Sequence, residues 1–151
     1  IGYEVDAWDV SETAIDRART LSKDCGATIR FIAGNAIQNA MYRTDTYDLI
    51  LDFLFLHHVQ DRDIEAYFDG VRNSIQIAGH YVVGVFMQTD DVVKRSSFFS
   101  DGKVRYWTKS GIEEHLGSNF MCDSTFYGNA GSPDHNYPIG VFLFVKRELY
   151  D

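Results

Sequence analysis

Residues 47–56 read Tyr-Asp-Leu-Ile-Leu-Asp-Phe-Leu-Phe-Leu, a run too continuously apolar to alternate between a wet and a dry face. Such a run suits a strand covered on both sides, as in the parallel sheets of α/β proteins. Strand-like and helix-like stretches alternate around it. Upstream, Tyr3 to Val10 reads as a strand. Ser11 follows as an N-cap, with Glu12 and Asp16 in the first turn, where acids suit the helix dipole. Ala14, Ile15, Ala18 and Leu21 fall at helical spacing, so a helix is predicted over 12–24, stopped by Gly26. Thr28 to Ile32 is a second strand, and Gly34-Asn35-Ala36 is a turn.

Downstream of the central run, Ile64, Tyr67, Phe68, Val71 and Ile75 form one stripe of a helix predicted from Asp61 to Gln76. Ala78-Gly79 breaks the pattern, and His80 to Met87 is a fourth strand. Residues 88–107 form a long polar loop of the kind usually tied to function. Ser110 and Glu113 have capping-box spacing, which predicts a short helix ending at Leu116 before Gly117. Phe120 to Tyr127 and Ile139 to Lys146 are the last two strands, an antiparallel pair joined by a turn-rich loop over 128–138. The fold class expected is α/β: a Rossmann-like, mostly parallel sheet with helices on both faces and an antiparallel C-terminal strand pair, in one domain over 1–151.

Composition narrows the function. Lys+Arg 14 against Asp+Glu 22 gives a net charge of −8 and a pI near 5.0, which argues against a nucleic-acid partner or a polybasic membrane contact. Two cysteines, Cys25 and Cys122, make no disulfide framework and show no metal-binding spacing. Ile1-Gly2-Tyr3-Glu4 has no basic n-region, and no apolar run is long enough to span a membrane, so a cytoplasmic domain is expected.

In open parallel sheets, ligands bind beyond the carboxyl ends of the strands. Asp9 closes the first strand, where an acid can accept hydrogen bonds from both ribose hydroxyls of a nucleotide, or simply cap the next helix. Asp6 is the other acid of that strand, but lies in its middle. Asn35 closes the second strand, with an amide able to read an adenine edge or to serve as a turn residue. His57 and His58 follow the central run; either one caps or packs while the other is solvated, or one serves as a general base, for which His57 is the candidate. Adjacent histidines point in different directions, so no metal site is expected from His57, His58, Asp61 and His135.

Four stretches in order, Tyr3-Glu-Val-Asp-Ala-Trp-Asp9-Val-Ser-x-x-Ala-Ile15, Phe31-Ile-Ala-Gly-Asn35-Ala, Tyr47-Asp-Leu-Ile-Leu-Asp52-x-x-x-Leu-His-His58 and Ile77-Ala-Gly79-His-Tyr-Val-Val-Gly, together resemble the class I S-adenosylmethionine-dependent methyltransferases. Within them the chain is most similar to the tellurite-resistance and thiopurine methyltransferase branch. The resemblance implies S-adenosylmethionine as cofactor, with Asp9 on its ribose, Val10 against its adenine, Asn35 and Ala36 at the adenine edge, and Asp52 and Phe53 near its methionine end. It further implies a small-molecule acceptor bordered by His57 and the 88–107 loop. Phe98, Phe99, Tyr106 and Trp107 either face an apolar or planar acceptor or pin the loop to the sheet.

The family places a strand, a Gly-rich turn and a helix before what is residue 1 here, and the chain contains no G-x-G. That absent strand would lie between the strand at Val5 and the strand at Leu49. Three explanations stay open: a piece of a longer enzyme, a natural truncation whose flanking strands pair directly, or a homodimer covering the exposed strand edges. The alternative function is therefore an inactive methyltransferase-like module that self-associates or binds a partner through those edges.

Overall fold

The computed structural model describes residues 2–40, 46–88, 104–132 and 135–148, without the side chains of 39, 40, 132, 135 and 136. The expectations placed on Phe98 and Phe99, and most of the 88–107 loop, lie outside the described residues. The elements, in chain order, are β1 (Val5–Asp9), α1 (Glu12–Asp24), β2 (Ile29–Ala33), α2 (Ala36–Ala40), β3 (Tyr47–Phe53), α3 (Ile64–Ser74), β4 (Ile75–Phe86), α4 (Lys109–Leu116), β5 (Phe120–Ser132) and β6 (His135–Lys146). Single 3-10 turns at Leu56–His58 and Asp61–Asp63 join β3 to α3.

The strands form two sheets. β1 and β2 pair in parallel, and the other four run in the order β3-β4-β6-β5. β3 and β4 are parallel, and β6 is antiparallel to both neighbours. The layered α/β architecture expected from the sequence is thus present. Direct pairing of β1 with β3, one of the three expected outcomes, is not: among the described residues no ladder joins them. Side chains span that line instead. The Tyr47 hydroxyl donates to Asp6 at 2.8 Å, and the Trp8 and Tyr47 rings meet edge to face at 6.0 Å.

The core lies on one face of the four-stranded sheet. The side chains of Tyr81, Val83 and Val85 on β4 stand beside those of Phe144 and Phe142 on β6, and α3 and α4 cover them with Tyr67, Phe68, Val71, Ile112 and Leu116. The period of 2 in a strand puts Leu49, Leu51 and Phe53 on the opposite face. There they are 52%, 67% and 57% exposed. β3 therefore has one covered and one open face, not the doubly covered strand its apolar run implies.

Several boundaries move for local reasons. α1 spans 12–24 as predicted, with the Ser11 hydroxyl accepting from Ala14 N–H at 3.2 Å. α4 is capped by Thr108, whose hydroxyl accepts from Gly111 N–H at 3.1 Å; the Ser110–Glu113 box is not its start. The predicted 128–138 loop is mostly ladder, because β5 and β6 stay paired to Ser132 and His135. Pro138 takes part through its carbonyl, which accepts from Met87 N–H at 2.8 Å. α2, at Ala36–Ala40, has no counterpart in the sequence reading.

Candidate active site

β1 and β2 end side by side. Asp9 pairs with Ala33, and Gly34 N–H donates to the Asp9 carbonyl at 2.9 Å, which carries the ladder one residue past the strands. Asp9 and Asn35 are thereby brought to one rim, both exposed. Each also does a local job. Asp9 Oδ1 accepts from Ser11 N–H at 2.8 Å, and Asn35 Oδ1 accepts from Ile37 N–H at 2.9 Å, which starts α2. The capping and ligand readings of Asp9 are therefore compatible, since a carboxylate has further lone pairs to offer. Val10 stands 73% exposed beside it, and Ala36 is half-buried at the start of α2. Asp6 is committed elsewhere: both its oxygens hold the Arg30 guanidinium, and Oδ2 also accepts from Tyr47.

The end of β3 is built differently. Leu54 N–H still donates to the Gly84 carbonyl at 2.8 Å, but Leu54 itself adopts φ +65°, a left-handed conformation that disfavours any residue with a Cβ. The chain doubles back, and Phe55 and Leu56 N–H donate to Asp52 Oδ1 at 2.9 and 3.3 Å. Tyr67 of α3 donates to Asp52 Oδ2 at 2.5 Å and lies 2.6 Å from the Tyr81 hydroxyl. Asp52 is 6% exposed, and burial pushes its carboxyl up against the opposing pull of Tyr67 and the two amides. Burial likewise drives both tyrosines well above their ordinary range. The sequence expectation put Asp52 near the methionine end of a cofactor; its carboxylate instead faces α3, and every oxygen has a protein donor. Phe53 does stand at the open face, with its ring over Gly84, where a Cβ would come within 2.6 Å of Cδ2.

His57 is 3% exposed, packed against the rings of His58 at 4.1 Å and Phe86 at 4.8 Å, and its Nδ1 has no hydrogen-bond partner among the described residues. Burial, and then His58, lower its pKa to about 4. It is a neutral imidazole at pH 7 and a weak base. The described end of the long loop runs beside it: Arg105 N–H donates to the His57 carbonyl at 3.1 Å, and Trp107 N–H to the Phe86 carbonyl at 2.9 Å. Tyr106 and Tyr137 close the ring cluster around Phe86, at 6.3 and 5.7 Å. Sequence reasoning missed Tyr67 and Tyr81. The available signal was Asp52 itself, because an acid inside an apolar run demands a buried donor.

Two surface depressions lie elsewhere, around α4 and the amino end of β5, and are lined by residues such as Arg72, His115 and Phe120. Among the described residues no three His, Cys, Asp or Glu side chains group to hold a metal ion. Among the same residues no helix is long and apolar enough to cross a membrane.

These strand ends, on a layered sheet with one reversed strand, define a Rossmann-like class of α/β domain. A methyltransferase domain family model matches residues 1–79, and the chain belongs to that family. No curated protein matches the sequence. Among solved structures, TehB from Haemophilus influenzae is similar at 15% identity and TM-score 0.76, over 97% of this chain and 51% of its own. NodS, an N-methyltransferase from Bradyrhizobium japonicum solved with S-adenosyl-l-homocysteine, is similar at 21% identity and TM-score 0.73, over 96% and 67%. The 1,6-didemethyltoxoflavin-N1-methyltransferase of Burkholderia thailandensis, solved with bound 1,6-didemethyltoxoflavin and S-adenosylhomocysteine, is similar at 18% identity and TM-score 0.71, over 97% and 63%. The chain thus spans about half to two thirds of the length of these proteins. At such identities the likeness shows the fold.

Proposed function

We propose that this chain is an S-adenosylmethionine-dependent methyltransferase domain acting on a small-molecule acceptor. The observation that carries the reading is the placement of Asp9 and Asn35 on one exposed rim, locked in register by the Gly34–Asp9 backbone bond. The residues fit the cofactor. The Asp9 carboxylate would hold the ribose hydroxyls, with Val10 against the adenine and Asn35 and Ala36 at its edge. Phe53 and the backbone that follows it would border the methionine end, and Asp52 would act from behind them. When bound, the cofactor supplies a methyl group on a sulfonium, and the task of these residues is alignment and exclusion of water. His57, neutral and packed on Phe86, whose ring also meets Tyr106 and Tyr137, would border a planar acceptor rather than serve as a strong base. The methyltransferase solved with 1,6-didemethyltoxoflavin and the NodS N-methyltransferase support a small acceptor. The tellurite-type branch belongs to the same reading. A cytoplasmic location belongs to the same reading.

Isothermal titration with S-adenosylmethionine and S-adenosylhomocysteine tests it. Binding with a thermal upshift is expected; no heat and no shift at millimolar ligand overturns it for this chain.

The split between β1 and β3 and the open face at Leu49, Leu51 and Phe53 favour a second reading: a module that self-associates as a homodimer through these edges. Light scattering decides. A strict monomer that binds the cofactor tightly removes this reading.

A further inference from the structure

Asp52 is a buried acid that the alignment of the cofactor rim does not use, yet it is the most heavily bonded side chain at the carboxyl end of β3. It touches two separate segments through three donors. Oδ1 collects the N–H groups of Phe55 and Leu56, from the loop just after the strand, while Oδ2 collects the hydroxyl of Tyr67, from α3. Tyr67 donates to the carboxylate, so the proton between the two tyrosine oxygens belongs to Tyr81 of β4. The chain Tyr81–Tyr67–Asp52 thus runs from the sheet, through the helix layer, to the loop.

What the loop gains is visible at Leu54. A β-strand that simply continued would carry Phe55 and Leu56 outward. The backbone instead turns at φ +65°, where a leucine is strained, and the two amides point back at the carboxylate. Charge-assisted hydrogen bonds of this kind offset the strain of such a turn. The consequence reaches His57, which follows Leu56 in the same 3-10 turn, and the backbone of 53–55, which faces the end of the strand.

We propose that Asp52 is a positioning residue for the methyltransferase site, fixing the left-handed turn at Leu54 so that residues 53–57 keep one conformation at the rim where the methionine end of the cofactor lies. This rests on the cofactor reading above. It assigns Asp52 no contact with cofactor or acceptor, and it makes Tyr67 the support that orients the carboxylate.

Amide hydrogen exchange and S-adenosylhomocysteine titration test it together, on the whole chain. Asp52→Ala should speed exchange at Phe55 and Leu56 by about ten- to a hundredfold, the loss of hydrogen bonds to a charged group, while Val83 in β4 stays protected. Affinity for S-adenosylhomocysteine should fall about tenfold or more on the same scale. Asp52→Asn keeps an acceptor for the two amides and should recover most of both. If Asp52→Ala does not fold, Tyr67→Phe replaces it, with a smaller change in the same two readouts. Leu54→Gly in either background should restore folding, because glycine takes the left-handed turn without strain.

Unchanged exchange at Phe55 and Leu56 in a folded variant overturns the turn-fixing role. Faster exchange with unchanged affinity overturns the positioning role and leaves Asp52 a structural acid. Absence of binding in the unsubstituted chain overturns the cofactor reading itself, and is told apart because it appears before any substitution is made.

Discussion

The hydroxyl of Tyr47, the first residue of β3, donates at 2.8 Å to Oδ2 of Asp6, the second residue of β1. This bond crosses the line at which the two sheets share no ladder. Asp6 is held in place from its other side by Arg30 on β2, so a side-chain relay of Arg30, Asp6 and Tyr47 ties the two-stranded sheet to the four-stranded one. Tyr47→Phe keeps the ring contact with Trp8 and removes only the hydroxyl. A loss of about 1.5 kcal/mol is expected, the lower end for a bond to a charged group. Chemical denaturation measures it, and faster amide exchange confined to β1 and β2 would locate it.

Asp9→Ala should weaken S-adenosylhomocysteine binding by ~1.5–3 kcal/mol, again the range for charge-assisted bonds. Because Asp9 also accepts from Ser11 N–H, a stability control belongs beside the titration. Ser11→Ala provides it: loss of the N-cap costs about 1 kcal/mol of stability and should leave affinity unchanged. If Asp9→Ala binds as well as the unsubstituted chain, the ribose lies elsewhere.

Gly79 sits where β3 and β4 lose register, between the Tyr47–Ile75 and Leu49–His80 pairs. A Cβ there would come within 2.8 Å of the Gln76 carbonyl and 3.1 Å of the Tyr47 carbonyl, both backbone atoms. Gly79→Ala should therefore destabilise the fold by ~1–3 kcal/mol, the range for overpacking. At Gly84 the neighbour is the exposed ring of Phe53, which can swing aside, so Gly84→Ala should cost less. Thermal melts of the two variants give the order.

His57 makes stability depend on pH. In the unfolded chain its imidazole titrates near 6.5, and burial in the fold lowers this to about 4. Between those values the unfolded chain holds the extra proton, so stability should fall as pH drops from 6.5 toward 4 and level off below. Asp52 works the other way: its carboxyl is raised by burial, so its protonation favours the fold as pH falls. Denaturant midpoints at pH 7 and pH 5 should show the loss in the unsubstituted chain and a smaller one in His57→Phe. An equal loss in both would place the titrating group elsewhere.

Leu51 is 67% exposed at the open face of β3. If that face carries self-association, Leu51→Lys should lower the mass seen by light scattering while leaving stability within about 0.5 kcal/mol, as for an ordinary surface change. An unchanged mass in a dimeric protein would move the contact to another surface.

What the residues disclose in advance divides by the range of the interaction responsible. α1 is legible to the residue because its cap, apolar spacing and glycine stop are all local. The end of β3 is not, since the apolar run continues to Leu56 while Asp52 turns the chain back by capturing the amides of Phe55 and Leu56. The β5–β6 hairpin is longer than its glycines and Pro138 suggest, because Gly, Pro and Asn mark turns only when no partner strand is at hand, and here the facing strand supplies one. Asp9 and Asn35 stand side by side at the strand ends, where their sequence positions put them. The bond from Tyr67 to Asp52 joins residues fifteen apart through tertiary packing alone, and no spacing rule announces it.

β6 lies between β4 and β5 in the sheet, although it follows both in the chain. Until residues 135–146 leave the ribosome, its two neighbours have no partner for their facing edges, and Phe142 and Phe144 are missing from the centre of the core. Folding cannot proceed strand by strand from the amino end; it waits for an insertion step with large sequence separation, which is slow and leaves sticky edges bare in the meantime. A nascent chain halted before Val141 should be a client for chaperones rather than a smaller stable domain.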